Sequence, residues 1–197
     1  MSAPPAPPLL LASTSPQRRA VLTQLNLPFE VVPPRYEETP PDGAGPVELA
    51  RAHALGKARS VADEADERPV VGVDTIVHRD GRVYGKPPTA EEAAAMLEIL
   101  SGGVHEVVSG LAVVTLAWEL VEDATTLVRF RALTARDVAT YVASGEWEGR
   151  AGGYAIQGLG AALVERIEGD YLNVVGLPAA TLVRILADRF AGRYGFG

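Results

Sequence analysis

The run from Val70 to Val77 constrains the possible fold more than any other stretch of the sequence. Its apolar residues occupy both alternations of a strand, which is typical of a strand buried on both faces inside a sheet. Asp74 places a carboxylate in the middle of this run. A carboxylate there costs several kcal/mol unless it is paired or bound to a metal. Asp74 is therefore either a structural charge bonded to backbone N–H groups or an arginine, or part of a functional site.

A second informative stretch begins with the strand predicted over residues 9–12. It leads into a loop with hydroxyl side chains, in which Ser15 suits a helix N-cap and Pro16 suits the first helical position. Arg18 follows in the first turn. Free N–H groups, the helix dipole, hydroxyls and a guanidinium together favour an anion such as phosphate. An ordinary capped connection between strand and helix explains the same residues equally well.

The order of segments predicts an α/β fold with a single domain over residues 9–197. A twisted, mixed sheet flanked by helices is expected because hairpin signals, such as Asp80-Gly81, alternate with helical crossovers. Two separate strands are expected over residues 105–108 and 111–118, around Ser109-Gly110. The Pro-rich residues 1–8 predict a flexible tail. Helices are predicted over five segments: 16–25, 47–62, 89–100, 134–144 and 178–190.

Composition excludes several classes of function. The net charge of −7 argues against binding a nucleic acid polymer, which requires a basic surface. The chain has no cysteine and its three histidines lack zinc-binding spacing. No apolar run approaches the roughly 20 residues that span a bilayer, and the amino terminus lacks the features of a secretory signal. A cytoplasmic protein without a membrane segment is expected.

Several other residues have chemistry that complements Asp74. Glu38, or its neighbour Glu37, lies in a long Pro-rich loop, and with Asp74 it suits a hard divalent cation. Lys57 falls at the border of the apolar face of the helix predicted over 47–62. Spacing alone favours extension of Lys57 into water over a role in a site. The residues suited to phosphate oxygens are Ser13, Ser15, Arg18, Lys57 and Lys86.

Glycines mark two further segments. Residues 151–160 contain four glycines, which indicates unusual backbone angles or close approach of the backbone to a ligand. The stretch from Gly81 to Lys86 is not a P-loop, because its glycines are one residue too close and Pro87 follows the lysine.

Eight motifs of this sequence occur in the order that is typical of one known protein family. They are Ala12 to Arg19, Glu37-Glu38, Lys57 in its Ala-rich helix, Gly72 to Thr75, Gly85 to Pro87, Leu100 to Gly102, Tyr154 to Gly158 and Val175 to Pro178. In these motifs the chain resembles the Maf family of nucleoside triphosphate pyrophosphatases, also called septum formation inhibitor Maf-like proteins. The similarity extends over about residues 9–190.

The resemblance implies hydrolysis of a nucleoside triphosphate to a monophosphate and pyrophosphate, with Mg²⁺ or Mn²⁺. It implies that Asp74 is the general base and a metal ligand, and that Glu38 helps to hold metal or water. Ser13, Ser15, Arg18, Lys57 and Lys86 would bind the triphosphate. It also implies a Maf/ITPase-like fold and the possibility of a homodimer.

Three positions concern substrate choice within the family. The subgroup that hydrolyses dTTP and UTP has Arg, Thr and Gln where this chain has Gln17, Thr75 and Gln157. Two positions match, and none matches the subgroup acting on 7-methyl-GTP, which has Trp, Gln and Glu. A non-catalytic nucleotide-binding regulator of cell division is the alternative. Asp74 favours the enzyme, since a carboxylate beside a phosphate repels a ligand that is only bound.

Overall fold

The computed structural model describes residues 6–39 and 43–196, and within these ranges seven strands form one mixed sheet. The strands are β1 Leu9–Ala12, β2 Phe29–Val31, β3 Val70–Arg79, β4 Arg82–Tyr84, β5 Val104–Val114, β6 Glu119–Phe130 and β7 Val164–Glu168. The helices are α1 Pro16–Gln24, α2 Pro46–Arg59, α3 Ala90–Leu100, α4 Ala135–Ala143, α5 Tyr171–Val175 and α6 Ala179–Phe190. Three short 3₁₀ segments cover Ala62–Glu64, Ala151–Gly153 and Gly158–Leu163.

The sheet confirms the predicted α/β class. Its order is β2-β1-β3-β5-β6-β7, with β4 paired to β3. Strand β1 runs parallel to both of its neighbours, β2 and β3. The other four pairs, β3 with β4, β3 with β5, β5 with β6 and β6 with β7, are antiparallel. At the tip of the β3–β4 hairpin, Asp80 and Gly81 both have positive φ, as a tight hairpin turn of the predicted type requires.

The expected break at Ser109-Gly110 is wrong, because β5 runs through both residues without interruption. Gly110 is a packing position. A Cβ atom there would lie 2.2 Å from the carbonyl oxygen of Ala50 in α2, so only glycine lets the helix approach the sheet so closely. Ser109 is buried, and its hydroxyl lies 2.9 Å from that of Thr75 on β3.

Helices cover both faces of the sheet. On one face, Ala54 and Ala58 of α2 pack against β1, β3 and β5. On the other face, α1 and α6 pack near the start of β3, and α3, α4 and the glycine-rich segment pack near its end. In the described part of the chain, no helix has both the length and the apolar character needed to cross a membrane.

The tail predicted over residues 1–8 lies largely outside the described residues, and its flexibility stays a prediction. The carbonyl of Pro7, which is described, accepts a hydrogen bond of 3.0 Å from the hydroxyl of Tyr194.

One edge of β3 has a gap that places the site. Along this edge β1 pairs with β3 only as far as Gly72, and β4 pairs with it only from Val77 onward. The opposite edge is paired with β5 over the whole of 70–78. Residues 73–76 therefore have no strand beside them on the first edge within the described residues, and Asp74 and Thr75 lie in this gap.

Candidate functional site

A cleft of about 600 Å³ opens at the gap in the edge of β3. Its walls come from the loop after β1, the Pro-rich loop before α2, α2 itself, the loop after β4 and the glycine-rich segment. The cleft brings together almost every residue that the sequence and the resemblance indicated: Ser13, Ser15, Gln17, Arg18, Glu38, Lys57, Asp74, Thr75, Lys86 and Gln157 all line it.

The loop after β1 and the start of α1 have the predicted capped geometry. Ser15 is the N-cap with extended backbone angles, and its hydroxyl oxygen accepts from the N–H of Arg18 at 3.5 Å. The buried Ser13 oxygen accepts from the N–H of Ser15 at 3.2 Å and from Nη1 of Arg18 at 3.1 Å. The Ser15 hydroxyl donates to Oε1 of Gln17 at 2.9 Å. Hydroxyls and a guanidinium thus converge at a helix start, which suits phosphate oxygens.

Arg18 is held in place by uncharged acceptors. Its Nε donates to the carbonyl of Gly176 at 2.9 Å, and its Nη2 lies 3.4 Å from the hydroxyl of Thr75. Burial lowers the pKa of Arg18, and the charges of Asp74 and Glu38 partly offset this effect. Since an arginine stays protonated in proteins, the result is a fixed positive charge facing the cleft.

Lys57 does not extend into water, as spacing alone favoured, and that prediction is wrong. Its side chain is only 10% exposed, and its Nζ lies 2.5 Å from Oδ1 of Asp74 and 2.6 Å from Oε1 of Glu38. The reason is tertiary: α2 packs so closely on the sheet that the edge of its apolar face points into the gap of β3. Asp74 is thereby paired with a lysine, whereas the sequence had indicated backbone N–H groups, an arginine or a metal as its partner.

Glu38, rather than its neighbour Glu37, lines the cleft. Burial would raise the pKa of Glu38. The hydrogen bond from Lys57 and the positive charges of Lys57, His53 and Lys86 outweigh this effect and lower the pKa. Glu38 is therefore a carboxylate at neutral pH, and more than half of its side chain remains open to the cleft.

An aromatic contact holds the loop that carries Glu38. The ring of Tyr36 lies against Gly56 of α2, where a Cβ atom would come within 2.2 Å of the ring. The Tyr36 hydroxyl lies 3.1 Å from Nδ1 of the buried His53. Glu38 lies two residues after Tyr36, and Lys57 is the residue after Gly56, so this contact brings Glu38 close to Lys57.

The far wall of the cleft is built by the loop after β4 and the glycine-rich segment. The N–H of Gly152 donates to the carbonyl of Gly85 at 3.0 Å, which joins the two loops. Tyr154 is buried, and its hydroxyl lies 2.8 Å from Nε2 of His105. Lys86 and Gln157 are both exposed in this wall, where a ligand can reach them.

The residues in the cleft fit a divalent metal that also binds phosphate. Within the described residues, no group of three or more His, Cys, Asp or Glu side chains could enclose a metal. Asp74 and Glu38 do offer two carboxylates that are brought together by a single lysine. Mg²⁺ is commonly bound by one or two carboxylates, with substrate phosphates and water supplying the remaining ligands. The pair of carboxylates meets that requirement.

Sequence reasoning missed three residues of this region. Tyr36 and His53 contribute the loop contact, and Arg150 lines the same cleft as Lys86. One signal was present: Gly56 interrupts a helix otherwise rich in alanine, and a glycine inside a helix often marks a close contact. Nothing local to Tyr36 or Arg150 indicated which way either side chain points.

Known proteins similar to this chain match nearly its whole length. Residues 8–189 match the family described as Maf-like protein. A relative from Gloeobacter violaceus is 47% identical over 181 residues, covering 91% of this chain and 95% of its own length. A relative from Moorella thermoacetica is 48% identical, covering 91% and 93%. One from Bacillus cytotoxicus is 45% identical, covering 93% and 96%.

All three relatives carry the name dTTP/UTP pyrophosphatase. The match spans nearly the whole chain and includes every segment that lines the cleft. This chain belongs to the Maf family.

Proposed function

We propose that this protein is a nucleoside triphosphate pyrophosphatase that hydrolyses dTTP and UTP to the monophosphate and pyrophosphate. The observation that carries the proposal is the ion-pair cluster in the gap of β3, where Lys57 holds Asp74 and Glu38 side by side. Hydroxyls and cations surround these two carboxylates in one cleft. The names of the relatives support the same reaction and the same two substrates.

Asp74 is the proposed general base. Within the described residues its hydrogen bond from Lys57 reaches Oδ1, which leaves Oδ2 to accept a proton from the attacking water. The carboxylate is buried at the wall of the cleft, and the ion pair fixes its orientation. A base held in this way needs no rearrangement before the water reacts.

The phosphate chain is proposed to bind to the hydroxyl and cationic side chains that line the cleft. Ser13 and Arg18 offer hydroxyl and guanidinium donors at the start of α1. The Ser15 hydroxyl donates to Gln17 in the absence of substrate, and it is proposed to donate to a phosphate oxygen instead when the substrate binds. Lys86 lines the same cleft. A lysine has three N–H donors, and Lys57 uses two of them on carboxylates, which leaves one for a phosphate oxygen.

Asp74 and Glu38 are the proposed ligands of a divalent cation such as Mg²⁺ or Mn²⁺, shared with the phosphate oxygens of the substrate. When bound, the cation would neutralise phosphate charge and lower the pKa of its water. Lys57 then has a second role, because it balances the two carboxylates in the absence of substrate.

Gln157, Thr75 and Gln17 are proposed to set the choice of base. The exposed amide of Gln157 can both donate to and accept from the edge of a pyrimidine, whereas a glutamate could only accept. Thr75 and Gln17 are hydrogen-bonded to neighbours in the lining of the cleft. The Thr75 hydroxyl shares a hydrogen bond with Ser109, and Gln17 accepts one from Ser15. The proposed compartment is the cytoplasm, where these nucleotides are found.

The test is pyrophosphate release from dTTP, UTP, CTP, GTP and 7-methyl-GTP by the purified protein with Mg²⁺. We expect release from dTTP and UTP, and loss of release when a chelator removes the metal. No release from any nucleotide would contradict the enzyme and favour a binding protein. A preference for 7-methyl-GTP would contradict the assignment of the base.

Asp74→Asn tests the proposed base separately. The amide has nearly the same shape but cannot accept the proton, so we expect kcat to fall by about 10²-fold or more. Full activity of this variant would remove Asp74 from the role of base and leave the overall reaction unaffected.

A further inference from the structure

Arg150 has no role in the mechanism above, although it lines the same cleft. It stands between α4 and the 3₁₀ turn of residues 151–153, and it is half-buried. Its Nε is buried and has no hydrogen-bond partner among the described residues. A buried N–H group without an acceptor is unfavourable, so the side chain gains by moving to an acceptor that enters the cleft.

The charge of Arg150 is also not neutralised. Among the described residues, no carboxylate forms an ion pair with it, in contrast to surface arginines such as Arg51, which pairs with Asp123 at 2.9 Å, and Arg131, which pairs with Asp137 at 2.8 Å. The two carboxylates of the cleft already share Lys57. An anion that binds in the cleft would therefore meet a guanidinium with its donors still available.

The backbone around Arg150 is hydrogen-bonded within its own turn and to the loop of Lys86. The carbonyl of Arg150 accepts from the N–H of Gly153 at 3.1 Å, and the N–H of Gly152 donates to the carbonyl of Gly85 at 3.0 Å. Gly152 has a φ of +71°, and a Cβ atom there would lie 2.9 Å from the side chain of Val77. This turn is therefore packed against β3. The hydrogen bond between Gly152 and Gly85 links the segment that carries Arg150 to the loop that carries Lys86.

We propose that Arg150 binds phosphate oxygens of the nucleotide, together with Lys86. The proposal rests on the proposed function and adds a residue to it. A guanidinium donates two parallel hydrogen bonds to a phosphate, and this geometry fits an arginine whose charge has no partner. A carbonyl of the base could also accept from Arg150, but it carries no charge to balance the guanidinium.

Binding of inorganic pyrophosphate and of UMP, measured by calorimetry without turnover, tests the proposal. Arg150→Gln removes the charge-assisted hydrogen bonds of the guanidinium. We therefore expect the dissociation constant of at least one of these two ligands to rise by about tenfold or more. Arg150→Lys, which keeps the charge, should lose less. Arg136→Gln is the matched control, because Arg136 is exposed on α4 and outside the cleft, and it should bind both ligands as the unmodified protein does.

The two ligands also show which phosphate Arg150 contacts. Weaker binding of pyrophosphate assigns Arg150 to the leaving group. Weaker binding of UMP assigns it to the phosphate that stays on the nucleoside. Unchanged binding of both by Arg150→Gln would overturn the proposal.

The ratio of kcat/KM for UTP to that for CTP distinguishes phosphate binding from recognition of the base. A residue that binds phosphate affects both nucleotides equally, so Arg150→Gln should leave this ratio within about twofold of the original. A changed ratio with unchanged pyrophosphate and UMP binding would overturn the proposal. If the unmodified protein hydrolyses no nucleotide, the proposed function fails, whereas the binding experiment still decides the role of Arg150.

Discussion

At the scale of single residues, Lys57 is the centre of the site. It is one of few buried charged residues, and it balances two carboxylates that would otherwise repel each other. Removing one member of a buried ion pair leaves a charge without compensation, and this costs more than the pair contributes. The sequence places Glu38 and Asp74 far apart, so Lys57 can act on both only because the Pro-rich loop is held against α2.

Tyr36 gives a prediction about that loop. Tyr36→Ala removes the ring that packs on Gly56 and frees Glu38 from its position beside Lys57. We expect the Mg²⁺ concentration for half-maximal activity to rise by about tenfold, because one proposed carboxylate ligand is no longer prearranged. The measurement is a Mg²⁺ titration of the initial rate at saturating UTP.

Tyr36→Phe is the matched control for this loop prediction. It keeps the ring against Gly56 and loses only the hydroxyl that lies 3.1 Å from His53. Its Mg²⁺ requirement should stay close to that of the unmodified protein. A Mg²⁺ requirement that is unchanged in Tyr36→Ala would show that the ring does not position Glu38.

At the scale of elements, two glycines determine how closely α2 approaches the sheet. Gly72 on β3 and Gly110 on β5 both face the helix, and a Cβ atom at either would lie 2.2 Å from a backbone carbonyl oxygen of α2. Backbone atoms cannot rotate away as a side chain can. The depth of α2, and with it the reach of Lys57 into the gap, therefore depends on the absence of two methyl groups.

Gly110→Ala tests this packing. The helix must move away from the sheet, and overpacking of this kind costs about 1–3 kcal/mol of unfolding free energy. Urea unfolding measures the loss. Gly85→Ala is the control, because a Cβ atom there meets nothing within 4 Å, and its stability should change by no more than about 0.5 kcal/mol. Equal stability of Gly110→Ala and the unmodified protein would contradict the close contact.

At the scale of the whole molecule, acid stability depends on a buried histidine, His105, in β5. His105 packs edge-on against Phe130 and Tyr154, and it is 1% exposed. Burial, with smaller contributions from the charges of Arg79 and His78, lowers the pKa of His105 from 6.5 to about 4. Between these two values the unfolded chain binds a proton that the folded protein does not.

The direction of the pH dependence follows from that difference. The stabilisation is complete above pH 6.5 and is lost as the pH falls toward 4, amounting to roughly 3 kcal/mol in all. Urea unfolding at a series of pH values measures it. The glutamine of His105→Gln cannot take up the proton. Between pH 6.5 and 4 this variant should therefore lose roughly 3 kcal/mol less unfolding free energy than the unmodified protein. Parallel curves for the two proteins would exclude His105 as the cause.

The homodimer that the family resemblance implies stays a prediction at this scale. Analytical ultracentrifugation of the full chain would decide it.

The sequence by itself determined the types of most elements, and it indicated most of the charged side chains that meet in the cleft. The apolar run of β3 predicted a buried strand, Ser15 and Thr134 predicted helix starts, and both are N-caps in the structure. These features depend on residues close together in the chain, because a cap or a strand face is decided within a few positions. The order of the motifs also indicated the family.

Only the tertiary structure decided how those segments meet. Spacing favoured extension of Lys57 into water. Because the glycines of β3 and β5 allow α2 to pack close to the sheet, Lys57 instead contacts Asp74. The choice of Glu38 over Glu37 and the position of Arg150 beside the cleft likewise depend on contacts between distant segments. Periodicity reports which face of an element is apolar. It does not report how near another element will come. The gap in the edge of β3 exists because β1 covers only the first part of that edge and β4 covers only the last part.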